Sequence, residues 1–231
     1  MPVLPEGLFA NPVWSALHSR HRQFAITRDL ACRYPAEVVP FAAVADSSYS
    51  AMQQLHAILE PAESVWFAAE SYSEFPRIAR HETLPCLQMV LPRTISPPDS
   101  SVAVVPLSRA NADEMVVLTS LAFPGFFRRR TCEMGSYFGI RSDSGELLAM
   151  GGERLKLEGF TEISAVCTHP SFRERGYAAR LIWEVVRKHR LEGITSFLHV
   201  SASNSSAIRL YRHMGFETTR IVTLHRISPK S

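Results

Sequence analysis

The sequence predicts an α/β fold built on a mixed sheet, and three observations predict it. Apolar runs of strand length alternate along the chain with segments whose apolar residues recur at helical spacing. One junction, residues 162–179 (E-I-S-A-V-C-T-H-P-S-F-R-E-R-G-Y-A-A), passes from an apolar run through His169-Pro170 and an arginine-bearing turn into a helix with Ala178, Leu181, Ile182 and Val185 on one side. A second junction follows, in which residues 196–200 (S-F-L-H-V) read as a strand and residues 204–216 (N-S-S-A-I-R-L-Y-R-H-M-G-F) as a helix capped by Asn204 and ended by Gly215.

In chain order, Asn11-Pro12 marks a first helix, with Val13, Trp14, Leu17 and His21 at helical spacing. After Arg33-Tyr34-Pro35, apolar runs at 38–44 and 65–69 flank a helix over 49–59 that carries Met52, Leu55, Ile58 and Leu59, and residues 87–91 add a strand. The stretch 92–101, with three prolines and three serines, has a linker's composition, so a boundary is expected near residue 101. The second part, 101–231, opens with a strand at 102–107 and a helix after Ala110 bearing Met115, Val116, Leu118 and Leu121. Next comes F-P-G-F-F-R-R-R (residues 123–130), either a solvated charge run or a source of one arginine, Arg128, Arg129 or Arg130, that grips an acceptor carboxylate. Residues 137–141 and 147–155 read as paired strands joined by the turn Asp143-Ser144-Gly145.

At 231 residues and 46% hydrophobic, the chain can bury a core in one large domain or two small ones. No apolar run approaches membrane-spanning length, and residues 1–10 lack a basic leader and an apolar core, so no export signal and a cytoplasmic location are expected. Cys32, Cys86, Cys132 and Cys167 show no C-x-x-C spacing and the nine histidines no ligand spacing, so neither a disulfide framework nor a metal is expected. Cys167 reads as a small buried hydrophobe, and His169 and the other histidines apart from His199 as turn or surface residues.

The net charge of +3 conceals a gradient. Residues 1–100 hold seven lysines and arginines against ten acids, whereas residues 162–231 hold eleven against five. That excess suits a polyanionic ligand, and without interleaved arginine and aromatic residues a nucleic-acid partner is not expected. A turn that brings Arg173, Arg175 and Gly176 to a helix N-terminus is built to receive an anion such as a pyrophosphate.

Taken together, strand, R-x-x-G-x-A, helix, strand and N-x-x-A-x-x-L-Y-x-x-x-G-F resemble the GNAT superfamily of acyl-CoA-dependent N-acyltransferases, in particular its FR47-like branch. The resemblance spans roughly residues 162–226. It implies the GNAT fold for 101–231, and for 1–100 an α/β half that is a degenerate GNAT-like copy of the kind found in glycine N-acyltransferases. It also implies acetyl-CoA as co-substrate and an amine of a small molecule, amino acid or peptide as acceptor, in a monomer or homodimer. Two alternatives are a glycine N-acyltransferase-like enzyme with a longer or aromatic acyl donor, and a non-catalytic acyl-CoA-binding module.

Acyl transfer to an amine needs the cofactor held, the carbonyl polarised, the nitrogen neutral and the departing thiolate protonated. By resemblance the pyrophosphate falls to the backbone of the turn and helix start, Glu174, Arg175, Gly176, Tyr177, Ala178 and Ala179, with Arg173 beside them, and the pantetheine arm to the strand edge at Val166, Cys167 and Thr168. The Val166 N–H would polarise the carbonyl, Asn204 would cap the last helix beside the cofactor, and Tyr211 would be the acid unless it only packs in the core. Two residues compete as base. Glu162 lies in F-T-E-I, similar to F-A-E-I of the histone acetyltransferases, and otherwise reads as a strand-end surface charge. His199 lies in L-H-V-S-A-S-N, where the ribosomal-protein N-acetyltransferases carry a glutamate, and otherwise reads as a core histidine. An imidazole, with an ordinary pKa near 6.5, suits proton removal at neutral pH better than a carboxylate near 4.3.

Overall fold

The computed structural model describes residues 6–93, 95–98 and 102–230. Its first helices start where side chains accept the unpaired N–H groups of the opening turn. After α1 (Glu6–Ala10), α2 (Pro12–Leu17) begins with Asn11 Oδ1 accepting the Trp14 N–H at 3.3 Å, and α3 (Tyr49–Ile58) begins with Ser48 Oγ accepting the Ala51 N–H at 3.1 Å. Between them, β1 (Ile26–Arg28), β2 (Ala31–Arg33) and β3 (Ala42–Val44) pair antiparallel. The strand expected over 38–44 is a strand only at its end. Pro35 starts a turn in which the Val38 and Val39 N–H groups both bond back to the Pro35 carbonyl.

The second sheet holds eight strands: β4 (Val65–Ala68), β5 (Ile78–Val90), β6 (Val105–Leu107), β7 (Tyr137–Arg141), β8 (Leu147–Leu157), β9 (Phe160–Thr168), β10 (Thr195–Ser201) and β11 (Glu217–Pro229). Their order is β4-β11-β5-β10-β9-β8-β7-β6, and only β9 and β10 run parallel. The expected turn between β7 and β8 forms, with the Ser142 N–H on the Glu146 carbonyl at 2.9 Å and Gly145 at φ 88. Neither β11 nor the outer half of β5 is marked by the apolar pattern of the sequence. Arg80, His81, Glu82 and Pro85 argue against a strand taken alone, and pairing with β11 from Glu217↔Val90 to Pro229↔Ile78 holds them in one.

The division expected near residue 101 runs through this sheet, with β4 and β5 before it and β6 to β11 after it. Residues 94 and 99–101 of the expected linker lie outside the described residues, as do residues 1–5. Ile95 packs on the core formed with α5 (Tyr177–Leu191) and α6 (Ser205–His213).

The sheet is covered on both faces. Met89, Ile163, Leu198 and Val200 pack on Ile182 and Val185 of α5 and Ile208 of α6. On the other face Val90, Leu155 and Phe197 meet Phe9, Leu17, Phe41 and Trp66, and α4 (Ala112–Ala122) sets Met115 and Leu118 against Leu107 and Met150. Among the described residues no helix is long and apolar enough to cross a membrane.

One feature of the register places the site. β9 and β10 pair only at Thr195↔Phe160, Ser196↔Thr161 and Phe197↔Glu162. Beyond that point β9 stays with β8 and β10 with β5, so the two parallel strands part, and a cleft opens beside the end of β9.

Candidate active site

The cleft begins at a bulge in β9. Between the pairs Gly152↔Ser164 and Met150↔Cys167, β9 spends two residues, Ala165 and Val166, against Gly151 of β8. Ala165 takes φ 55, a left-handed conformation rare for alanine, and the extra residue takes the strand out of ladder register where it turns toward the cleft. A Cβ on Gly151 would stand 3.3 Å from Val166 Cγ2, so a residue without a side chain opposite the bulge lets the two strands stay close.

After Thr168 the chain makes one short turn, Pro170–Phe172, and enters α5 through Glu174 at φ 65 and Gly176 at φ 77. Gly176 is the N-cap of this 15-residue helix and no side chain caps it. The first N–H groups of α5 therefore keep their hydrogen-bonding capacity and the helix's positive end for a ligand.

Val166, Cys167, Thr168, Arg173, Glu174, Arg175, Gly176, Tyr177, Ala178, Ala179, Asn204 and Tyr211 all line one cleft of about 600 Å³. These are the residues that sequence analysis assigns to the cofactor. Phe172, Ser206, and the motif residues Ala207 and Leu210 add to the walls, together with Ala122 and Phe123 at the end of α4, which lie outside the motifs. An uncapped helix start with two arginines fits a pyrophosphate, and a strand edge freed from its parallel neighbour fits an amide-bearing arm.

Asn204 caps α6 at the rim of the cleft. Its Oδ1 accepts from the Ala207 N–H at 3.1 Å and the Ser206 hydroxyl at 3.0 Å, while the residue lines the cleft. Tyr211 likewise lines the cleft and packs its ring edge-on to Phe216 at 5.8 Å. Burial pushes its phenol up to about 12, so the hydroxyl stays protonated through the neutral range. Burial also pushes the Cys167 thiol to about 12, which leaves it without the thiolate a nucleophile needs.

Glu162 and His199 are not among the residues lining this cleft. They share a face of the sheet with Phe197 and are bonded to each other, Glu162 Oε1 standing 2.7 Å from His199 Nδ1. Glu162 is no surface charge, being 0% exposed. Arg154 of β8 donates to both its oxygens, Nε at 2.8 Å and Nη2 at 2.6 Å, and rests on the Phe41 ring at 4.7 Å. Burial alone would raise the Glu162 carboxyl; the Arg154 guanidinium outweighs it and, with His199, holds the group well below the usual carboxylate range.

Among solved structures, a protein from Novosphingobium aromaticivorans assigned to the GNAT family of acetyltransferases is 32% identical, with 96% of this chain and 98% of that one covered at a TM-score of 0.88. The chain belongs to the GNAT family. The family model described as FR47-like protein matches residues 137–224, which hold both motif-bearing strand–helix units. A GCN5-related N-acetyltransferase from Kribbella flavida (15% identity, 99% and 96% covered, TM-score 0.64) and a GCN5-related N-acetyltransferase-like protein from Streptococcus suis (10%, 97% and 94%, 0.63) share the fold over nearly the whole chain. A search of curated protein sequences found no match. The protein is thus a GNAT acetyltransferase in general class, with an acyl-CoA as co-substrate.

In this GNAT structure the arginine run keeps both of its readings, and the histidine expectation changes. Of the three arginines after Phe127, Arg129 pairs with Asp113 at 2.9 Å and Arg130 with both Glu37 and Glu133 at 2.9 Å, so the chain's own carboxylates occupy them. Arg128 instead donates to the Phe127 carbonyl at 3.2 Å. The histidines are not all turn or surface groups. His21 is buried against the Tyr34 hydroxyl at 2.8 Å, and His189 of α5 lies 2.8 Å from Ser196 Oγ and 3.3 Å from buried Glu153. Nothing in the sequence singles out Arg154 or Gln88. Each looks like a surface residue in its own strand, and only the sheet order brings them to Glu162 and His199.

Proposed function

We propose that the protein moves an acetyl group from acetyl-CoA to a primary amine of a small molecule, amino acid or peptide, by direct attack of the amine while both substrates are bound. The observation that carries this reading is the single cleft that gathers the phosphate turn, the β9 bulge, Asn204 and Tyr211. The uncapped start of α5, with Arg173 and Arg175, holds the pyrophosphate, and the edge of β9 at Val166, Cys167 and Thr168 pairs with the pantetheine arm.

At the bulge, the Val166 N–H donates to the thioester carbonyl as negative charge develops on it, an interaction worth on the order of 3 kcal/mol to the barrier. The amine nitrogen bonds to the carbonyl carbon, the carbon–sulfur bond breaks, and the nitrogen gives up a proton. His199, bonded to Glu162 behind the wall of the cleft, is the base and takes that proton through water, since the Arg154 guanidinium holds Glu162 too far below the usual carboxylate range to accept it. Tyr211 serves the departing sulfur chiefly as a hydrogen-bond donor. A phenol near 12 is a weaker acid than an ordinary thiol near 8.5, so full transfer to the thiolate runs uphill. No acyl-enzyme is invoked, because Cys167, the one cysteine in the cleft, stays a neutral thiol.

Calorimetric titration with acetyl-CoA and free CoA, on the wild type and on Gly176→Trp and Ala178→Trp, tests the site, and thiol release across a panel of primary amines tests the reaction. Micromolar binding that both variants lose, with their melting temperatures recorded because φ 77 at Gly176 disfavours any side chain, is the expected result. Absence of binding by the folded wild type would remove the cleft from this role.

A further inference from the structure

On the sheet face that carries Glu162, four side chains from four adjacent strands form one hydrogen-bonded row. Arg154 of β8 grips both oxygens of Glu162 on β9, Glu162 meets His199 Nδ1 on β10 at 2.7 Å, and His199 Nε2 meets the side-chain nitrogen of Gln88 on β5 at 3.0 Å. The register creates the row, because His199 stands directly across from Gln88, and Glu162 across from Phe197, two residues before His199 on the same face. Gln88 is 0% exposed.

We propose that Gln88 and Arg154 are positioning residues that fix the tautomer of His199 and give its imidazolium a second partner. The inference rests on the reading of His199 as base. Because Arg154 keeps Glu162 ionised, Glu162 can only accept, so His199 Nδ1 carries the proton and Nε2 the lone pair. The Gln88 amide donates to that lone pair. Its nitrogen also reaches the Phe9 carbonyl at 3.4 Å, which turns the amide so that Oε1 is buried without a hydrogen-bond partner.

That orphan oxygen has a use in the other protonation state. Nε2 can take up the proton that the ammonium gives up only as the Gln88 amide turns away from it; the nitrogen then changes from acceptor to donor, and the half-turn, which gives up the Phe9 contact, brings Oε1 round to accept from it. Arg154 and Glu162 keep their charges through the step, so the row goes from neutral to a single positive charge. The surrounding ionisable groups do not interfere. Cys86 on β5, Tyr137 on β7, Tyr211 on α6 and Tyr34 before β3 all lie within electrostatic reach of Glu162, and burial pushes each of them up, while burial lowers His21 to about 4.

Nitrogen-15 NMR of the full chain labelled at histidine, read against pH for the wild type, Gln88→Glu and Gln88→Met, tests the row without reference to turnover. The wild type is expected to show the Nδ1–H form of neutral His199. A carboxylate at position 88, which can only accept, should raise the imidazole's titration by about 1–3 pH units, and methionine, which removes both the donor that steadies the neutral ring and the acceptor that steadies the cation, should move it by less. The acid limb of kcat/KM should move in step. An Nε2–H form in the wild type, or a titration unmoved in both variants, would overturn the proposal. A titration that moves while the rate profile stays put would uphold the row and take the role of base away from His199.

Discussion

The backbone at Ala165 holds the tightest link between a single residue and the chemistry. A non-glycine residue at φ 55 costs on the order of 1–3 kcal/mol and persists only where the surroundings impose it. Here the residue is half of the bulge that presents Val166 to the cleft. Ala165→Val puts a β-branched side chain in that conformation, so the variant is expected to lose about 1–3 kcal/mol in denaturant unfolding and most of its turnover. Ala165→Gly accepts the same φ and should retain activity. Equal turnover in both variants would show that the bulge does not position the catalytic backbone. For Tyr211, replacement by Phe keeps the packing on Phe216 and removes the hydroxyl, and kcat is expected to fall about a hundredfold with binding of CoA preserved. An unaltered kcat would leave Tyr211 a packing residue. The bulge itself could not be read from the sequence, because alanine carries no mark of left-handed backbone.

At the scale of elements, legibility followed contiguity. The cleft proposed for the cofactor gathers residues that were readable together, because β9, its turn and α5 follow one another in the chain, and β10 and α6 repeat the pattern with their own cap. The Arg154–Glu162–His199–Gln88 row was not, because its four members lie on four strands and as many as 111 residues apart along one hydrogen bond. That row also sets how β8 and β9 depend on charge. Removing one partner of a buried ion pair leaves the other uncompensated, so Arg154→Met is expected to cost about 3–5 kcal/mol, and adding Glu162→Leu should recover much of it. Guanidinium unfolding of the two single variants and the pair measures this, and additive losses would mean the two side chains do not act on each other. The sign of the pH effect follows from the lowered Glu162 carboxyl. Its contribution is fully present above the unfolded value near 4.3 and drains away as pH falls below it, so the melting temperature of the wild type should drop more steeply below pH 4.3 than that of the double variant.

For the whole molecule, the sheet decides what can stand alone. The composition of residues 92–101 invites a cut there, and a fold read from sequence motifs begins its working part at that cut. Hydrogen bonding argues otherwise. β5 fills the place between β10 and β11, pairing with β10 from Phe197↔Val90 to Ser201↔Cys86 and with β11 along its whole length. Every strand partner of β11 comes from before residue 101, and Phe9, Phe41 and Trp66 cover the face that holds Phe197. A chain of residues 102–231 would keep the cofactor motifs intact, yet it would leave one side of β10 unpaired, free β11 entirely, and expose Val90's former contacts to water. Bare strand edges of that kind pair with other chains. The fragment is therefore expected to be insoluble or to give a collapsed proton–nitrogen NMR spectrum without CoA binding, whereas adding residues 1–93 as a separate chain should restore dispersion and binding together. A fragment that folds and binds CoA unaided would instead make the first hundred residues an accessory to a complete acetyltransferase, and the cover they place over the face of His199 would have to be explained by the acceptor alone.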